Sequence, residues 1–161
     1  MGFGRKSKKG NVTMEGLTVL IVVTIFALAS IFGYMIFDQM NADIQANPAM
    51  SASATATSGD LHGKFPALFD NLFLMMFVLF TLFALVSAYM IDSQPLMFAL
   101  ALILLVGLFI ATPLVANAFD DIVRDPVVSA YADSFPLTSW VMRNIMQMII
   151  AIGFMIMLVL Y

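Results

Sequence analysis

Two polar side chains near the start of the last apolar run are the strongest candidates for chemistry in this chain. Arg143 and Gln147 stand four residues apart, so they share one face of a helix. Together they are able to line a polar vestibule, because ionisable groups inside lipid usually mark a path for ions or protons. The interpretation that we favour is an anchor, in which Arg143 reaches the membrane surface or pairs with an aspartate of the preceding loop. The aspartates of that loop are Asp120, Asp121, Asp125 and Asp133.

The remaining candidates for a catalytic or metal site are weaker. His62 is the sole histidine and stands near Asp60, but one imidazole with one carboxylate falls short of a metal site, so we expect His62 to be solvated. Cysteine is absent, which excludes thiolate chemistry and disulfides. No nucleophile elbow or phosphate-binding glycine loop is visible. The sequence therefore predicts a protein that is not an enzyme and that uses no metal or cofactor.

The composition is that of a membrane protein. Hydrophobic residues make up 62% of the chain and charged residues 11%, whereas a soluble domain has about 45–50% and about 25%. Four apolar runs, at about 17–37, 68–91, 96–118 and 137–161, each supply the roughly 20 residues that cross a bilayer. Because peptide groups in lipid must be satisfied within the segment, all four should be helices. The predicted fold class is all-α, a polytopic membrane protein with a bundle of four transmembrane helices.

The rest of the chain divides into a tail and loops. Residues 1–16 form a basic tail, and residues 17–161 form a single transmembrane domain. The connection at 38–67 starts with a polar stretch compatible with a helix and passes into SASATATSGDLHG, which we predict as a mobile loop because small and hydroxyl side chains bury little. The connection at 119–136 is broken by two prolines and is predicted to lie along the membrane surface.

Small residues four apart predict where helices approach closely in lipid, because short side chains let the two backbones come together. The pairs with this spacing are Ala29 and Gly33, Ala84 and Ala88, and Gly107 and Ala111.

Charge orients the bundle. Arg5, Lys6, Lys8 and Lys9 are four of the seven Lys and Arg residues. Because basic segments stay on the cytoplasmic side, we expect the tail to face the cytoplasm or the interior of a particle. Four crossings return the C terminus to that side, and the two longer loops face away. On the interior side the tail is expected to contact anionic lipid or the phosphates of nucleic acid.

The stretch KKGNVTMEGLTVLIVVTIF resembles the processing site of type IV prepilins and pseudopilins. In that family a basic leader ends in glycine, a peptidase cuts after it, and glutamate stands at the fifth mature position. The resemblance implies that Gly10 precedes the cut, that Asn11 is the new N terminus and that Glu15 is the fifth residue. Three apolar runs follow where a pilin has a soluble head, so we expect Gly10 to stay uncut. The stretch then acts as a membrane anchor with Glu15 in its first turn.

In its general build the chain resembles integral proteins of the internal membrane of lipid-containing icosahedral phages. Both are small, with nearly charge-free spans, a basic tail and no soluble domain. The resemblance implies a tail that faces packaged DNA, outer loops that face the capsid shell, and capsid proteins, membrane proteins or further copies as partners. The favoured function is therefore a structural or assembly protein of a virion membrane or a bacterial inner membrane. A small channel, holin-like pore or transporter subunit is the alternative, and a divergent pseudopilin is a third possibility.

Overall fold

The computed structural model describes residues 12–89 and 95–160, and within these ranges the chain is helical with no strand. The helices are α1 (Val12–Ala46), α2 (Ala52–Tyr89), α3 (Pro95–Val123), α4 (Pro126–Ala132), α5 (Pro136–Arg143) and α6 (Ile145–Leu160). The all-α fold class predicted from the sequence is confirmed.

Four long helices form the bundle, and two short helices pack at one end of it. α1 packs against α2 and α3, and α6 packs against the same two helices. α4 lies against α1 and α3, whereas α5 contacts α2, α3 and α6. The core between them is apolar and includes the fully buried rings of Phe73, Phe119 and Phe135. We call the end that carries α4, the start of α5 and the α1–α2 turn the hairpin end.

In the part of the chain that the structure describes, three helices are long and apolar enough to cross a membrane, namely Thr18–Ala46, Ala52–Tyr89 and Leu105–Val123. The pair α5 and α6 makes a fourth crossing if both helices contribute to one span. The outer surface of these helices carries large apolar side chains, such as Phe83 at 67% and Ile110 at 68% exposure. A continuous apolar surface of this kind fits lipid. The chain therefore has the architecture of a multi-pass membrane protein.

The predicted fourth span at 137–161 is broken, which the hydropathy pattern does not indicate. α5 and α6 meet at an angle of 68°, and Asn144 between them has the non-helical angles φ −106° and ψ 12°. Its side-chain amide donates to the Trp140 carbonyl at 2.8 Å, a local bond that competes with helix continuation. α6 alone has 16 residues, about 24 Å, so α5 must contribute if this segment crosses a core of about 30 Å.

The prediction of a mobile loop within 38–67 is wrong. α1 continues through its polar end to Ala46 and α2 begins at Ala52, so only a short turn separates them. The hydroxyl and small residues of this region do bury surface. Ser58 is 7% exposed and donates to Asn41 Oδ1 at 2.8 Å. Hydrogen bonds between the two helices take the place of the apolar contacts whose absence suggested a loop.

The helix breaks predicted in the connection at 119–136 are confirmed, since Pro126 and Pro136 are the first residues of α4 and α5. Proline suits this position because its missing N–H has no helical partner there. Asp125 caps α4, and its carboxylate accepts a hydrogen bond from the Val127 N–H at 2.8 Å. That α4 follows the membrane surface stays a prediction.

Gly153 marks a close contact between α6 and α3. A Cβ atom at this position would overlap the Leu105 side chain, whereas a Cβ at Gly107 would meet nothing within 4 Å. A Cβ at Gly33 would make only an ordinary contact, 3.7 Å from the Phe65 ring. The close approach predicted at Gly107 is therefore wrong, and the glycine that permits one is in the last helix.

Replacement of Gly153 by Ala should lower the free energy of unfolding by up to about 2 kcal/mol, because an overpacking cost of about 1–3 kcal/mol is partly offset by the gain of about 1 kcal/mol that Ala brings to a helix. The matched control is Gly107→Ala, which has open space and should be neutral or slightly stabilising because Ala favours helix. Equilibrium unfolding in detergent measures both variants. The cost of Gly153→Ala should be smaller when it is measured in a Leu105→Ala background than in the native chain. An equal cost in the two backgrounds would contradict the assigned contact.

Candidate functional site at the hairpin end

Among the charged residues whose burial the structure describes, Asp70 of α2 is the one that is buried, at 4% exposure. Its Oδ1 accepts a hydrogen bond from the Thr138 N–H at 2.7 Å, and its Oδ2 accepts one from the Leu137 N–H at 2.9 Å. Both N–H groups belong to the first turn of α5, where the backbone has no acceptor within its own helix. Asp70 therefore caps α5 from a different helix.

The start of α5 needs such a cap because its own sequence supplies none. Phe135 occupies the N-cap position and makes no side-chain hydrogen bond, and Pro136 follows it. A carboxylate at this position satisfies one buried and one partly buried donor, and its charge is also favoured by the partial positive charge of the helix N terminus. Hydrogen bonds to a charged group contribute about 1.5–3 kcal/mol, so this contact is a strong tie between α2 and α5.

Asp38 of α1 makes a second junction, which joins the three helices α1, α2 and α4. Its Oδ1 lies 2.8 Å from His62 Nε2 of α2, and its Oδ2 accepts a hydrogen bond from the Tyr131 hydroxyl of α4 at 3.0 Å. The hydrogen bond to Asp38, followed by burial and by the nearby charge, raises the pKa of Tyr131. The prediction that His62 is solvated is wrong, since its side chain is 24% exposed and is bonded to Asp38.

An aromatic cluster surrounds this junction and joins it to the Asp70 cap. The Tyr34 ring stacks on His62 with centroids 5.2 Å apart and on Phe65 at 5.8 Å. It also meets Tyr131 and Phe135 edge-on, at 6.0 Å and 5.8 Å. Phe135 is the N-cap residue of α5. One ring of α1 therefore contacts α2, α4 and the chain that enters α5.

Polar contacts continue from Asp38 toward the turn that joins α1 to α2. Gln45 Nε2 donates to the Thr55 carbonyl at 2.8 Å, and Ser58 donates to Asn41. On the other side of Asp38 the contacts become aromatic, with Phe26 stacked against Phe69 and Phe73. We call the polar contacts between α1 and α2 the polar ladder. They are the contacts of Gln45 with Thr55, of Asn41 with Ser58 and of Asp38 with His62.

The spacing of these contacts is that of an antiparallel helix pair. The positions in α1 fall at 45, 41, 38 and 34, and their partners in α2 fall at 55, 58, 62 and 65. Steps of three and four residues repeat about every seven, the period that keeps one seam between two helices. The sequence contains this signal, but a search for apolar periodicity overlooks it because the residues at the seam are polar.

Asp70 was also missed, because it stands at the edge of an apolar run, where a charged residue ordinarily marks only the boundary of a span. A usable signal was the sequence SFPLTSW, a helix start with proline and no capping side chain. Such a start predicts an acceptor elsewhere in the chain. Within the ranges that the structure describes, no group of three or more His, Asp or Glu residues is arranged to hold a metal ion.

The structure places Arg143 and Gln147 on the surface. Arg143 lies in the last turn of α5, and Gln147 lies in the first turn of α6. Both side chains are exposed. The ion pair expected between Arg143 and a loop aspartate is absent among residues 12–89 and 95–160, and Asp120 pairs with Arg124 instead.

The sites predicted at the N terminus are largely outside the described residues. Arg5, Lys6, Lys8, Lys9, Gly10 and Asn11 precede the described chain, and Glu15 falls near the start of α1. Contact of the tail with lipid or nucleic acid, and the processing of Gly10, stay predictions.

The fold defines the chain as a multi-pass membrane protein of helical type, and the interhelical polar contacts described above lie at the hairpin end. Comparison with models of known protein families, with curated proteins and with solved structures finds no match to it.

Replacement of Asp70 by Asn should destabilise the bundle by about 1.5–3 kcal/mol, because one α5 N–H loses its acceptor and the charge is removed. The matched control is Asp133→Asn, since Asp133 is exposed and should tolerate the change. Unfolding in detergent gives the stability, and limited proteolysis between α4 and α5 reports whether the start of α5 opens. Equal stability of the two variants would show that Asp70 does not hold α5.

Proposed function

We propose that the protein is a non-enzymatic structural or assembly protein of a membrane, which holds a stiff helical hairpin beyond the lipid for other proteins to bind. The observation that carries this proposal is the use of its polar groups. The polar side chains whose hydrogen bonds or ion pairs are described above fasten helices to each other, cap a helix or bond within one helix, and no polar path through the apolar part is visible among the described residues.

Two aspartates at the hairpin end support the proposal, because both use their carboxylates to hold separate helices together. Asp70 caps α5, and Asp38 joins α1, α2 and α4. Elsewhere, Lys64 with Asp60 and Arg124 with Asp120 are pairs one helical turn apart. Groups committed to such contacts are poorly suited to carry ions or protons, which requires partners that exchange.

Four hydroxyl groups within the spans are also used locally. Those of Thr24, Ser30, Thr81 and Thr112 each donate to the carbonyl four residues earlier in the same helix. A hydroxyl bonded in this way satisfies itself without water or a second helix. This pattern favours a packed bundle over a hydrated pathway.

The length of α1 and α2 supports the presentation of a hairpin. α1 has 35 residues and α2 has 38, which correspond to about 52 Å and about 57 Å, whereas the hydrocarbon core is about 30 Å thick. The polar ladder occupies the surplus length next to the turn. The part beyond the lipid is therefore a braced pair of helices.

For its setting we propose the internal membrane of a virion, with a bacterial inner membrane as the alternative. The architectural resemblance to phage membrane proteins supports the first. In that setting the basic tail faces the interior and the hairpin end faces the shell. Capsid or membrane proteins that bind the hairpin would be its partners.

The topology can be tested with single cysteines at Ser7, Ser53 and Ala130, because the native chain has none. We expect an impermeant thiol reagent to label positions 53 and 130 from outside intact cells and to leave position 7 unlabelled until the membrane is opened. Ser53 and Ala130 are exposed, so low reactivity would not result from burial. Labelling at position 7 alone would show that the orientation is the reverse of the one proposed. Recovery of the native protein only in ordinary cell membranes would contradict the virion setting.

The second candidate function, a channel or pore subunit, is favoured by one observation, the exposed polar pair Arg143 and Gln147. The two functions can be separated by measuring how fast a small fluorescent ion leaves liposomes that contain the purified protein. We expect release no faster than from protein-free liposomes. Release that depends on protein and that falls in a Gln147→Leu variant of normal stability would overturn the structural proposal in favour of a pore.

A further inference from the structure

Gln147 is an amide on the outer face of α6 with no hydrogen-bond partner among the described residues. Its side chain is exposed in a helix whose other residues are almost all apolar. An amide in hydrocarbon without a partner is costly, because lipid offers neither a donor nor an acceptor. The depth of Gln147 therefore decides whether its exposure needs an explanation.

The Asp70 cap fixes that depth. Asp70 lies next to the first turn of α5, and it precedes the charge-free stretch of α2 from Asn71 to Tyr89, which is close to the length that crosses the core. We therefore take the level of Asp70 as the boundary of the hydrocarbon. The eight residues of α5 are inclined at 68° to α6, so they advance only about 4–5 Å along the α6 axis.

Arg143 and Gln147 consequently differ in what they can reach. Arg143 is about 4–5 Å below the boundary, and its long side chain extends back to the headgroups. Gln147 is about 8–9 Å below the boundary on the same estimate, and its shorter side chain stays among the acyl chains. Asn117 of α3 is exposed too, but it lies within one turn of Asp120 and so close to the boundary. Gln147 is the deep exposed amide of the described chain.

The face that carries Gln147 extends along the whole of α6. Ala151, Phe154 and Leu158 follow it at helical spacing, and Phe154 and Leu158 are 65% and 63% exposed. Ala151, one turn from Gln147, would let a second helix approach closely. The opposite face of α6 is already occupied, since Gly153 packs on Leu105 of α3.

We propose that this face binds a second copy of the same chain, with Gln147 hydrogen-bonded to Gln147 of the other copy. Two copies inserted with the same orientation place residue 147 at equal depth, so this amide meets its own counterpart across a two-fold axis normal to the membrane. A carboxamide carries both a donor and an acceptor, which makes it complementary to itself. The proposal does not rest on the proposed function.

Disulfide formation between copies tests the proposal directly. Ala151→Cys places a thiol on the α6 face and keeps Gln147 in place. Ile110→Cys is the matched control, because Ile110 is 68% exposed on α3. Oxidation in native membranes should convert the Ala151→Cys protein to a covalent dimer and leave the Ile110→Cys protein largely monomeric. Equal crosslinking of the two variants, or none at position 151, would overturn the proposal.

The role of the amide is tested in the same background. Adding Gln147→Leu to the Ala151→Cys variant should lower the yield of covalent dimer by about threefold or more, because loss of one interhelical hydrogen bond in a membrane weakens association by about that factor. Leu on an exposed apolar face should leave the fold intact, which unfolding in detergent verifies. Unchanged crosslinking would remove Gln147 from the contact. A variant that carries both Ala151→Cys and Asn117→Cys tests the symmetry of the contact. Disulfides between position 151 of one copy and position 117 of another, or products larger than a dimer, would contradict the two-fold arrangement.

Discussion

The bundle depends on the charge of Asp70 at the first turn of α5. A helix start leaves N–H groups without acceptors in its own backbone, and no capping side chain of its own satisfies those of α5. The carboxylate from α2 does so with two short hydrogen bonds. The last crossing can therefore consist of two helices instead of one, because the extra helix start is not left unsatisfied.

The Asp38 junction and the aromatic cluster connect this arrangement to the rest of the hairpin end. Tyr34 contacts both the His62 ring and the Phe135 ring, so the position of α1 depends on that of the chain that enters α5. Tyr131 ties α4 to the same carboxylate that holds His62. Four elements thus share two aspartates and one ring, and a change in any of them alters the packing of the others.

The sequence predicted the apolar spans and the helix breaks at Pro126 and Pro136, because hydropathy and proline act through local rules. It did not predict the bend at Asn144, since an asparagine in an apolar run becomes a break only when its side chain bonds to the backbone beside it. The prediction of a loop around Ser58 and His62 failed because their partners are distant in sequence and are polar. Asp70 could have been inferred only by asking which acceptor the uncapped start of α5 requires.

The seam between α1 and α2 changes from aromatic to polar at Asp38 without losing its seven-residue period. Together with the Asp70 cap, this change limits how deep the pair can sit in a bilayer. Sliding outward by one turn would move the apolar stretch that follows Asp70 out of the hydrocarbon, and sliding inward would carry Asp70 into the hydrocarbon and the Asp38 junction toward it. A stiff pair of this kind cannot tilt or bend freely to suit a thinner or thicker membrane, so the lipid around it must adjust its thickness to the protein.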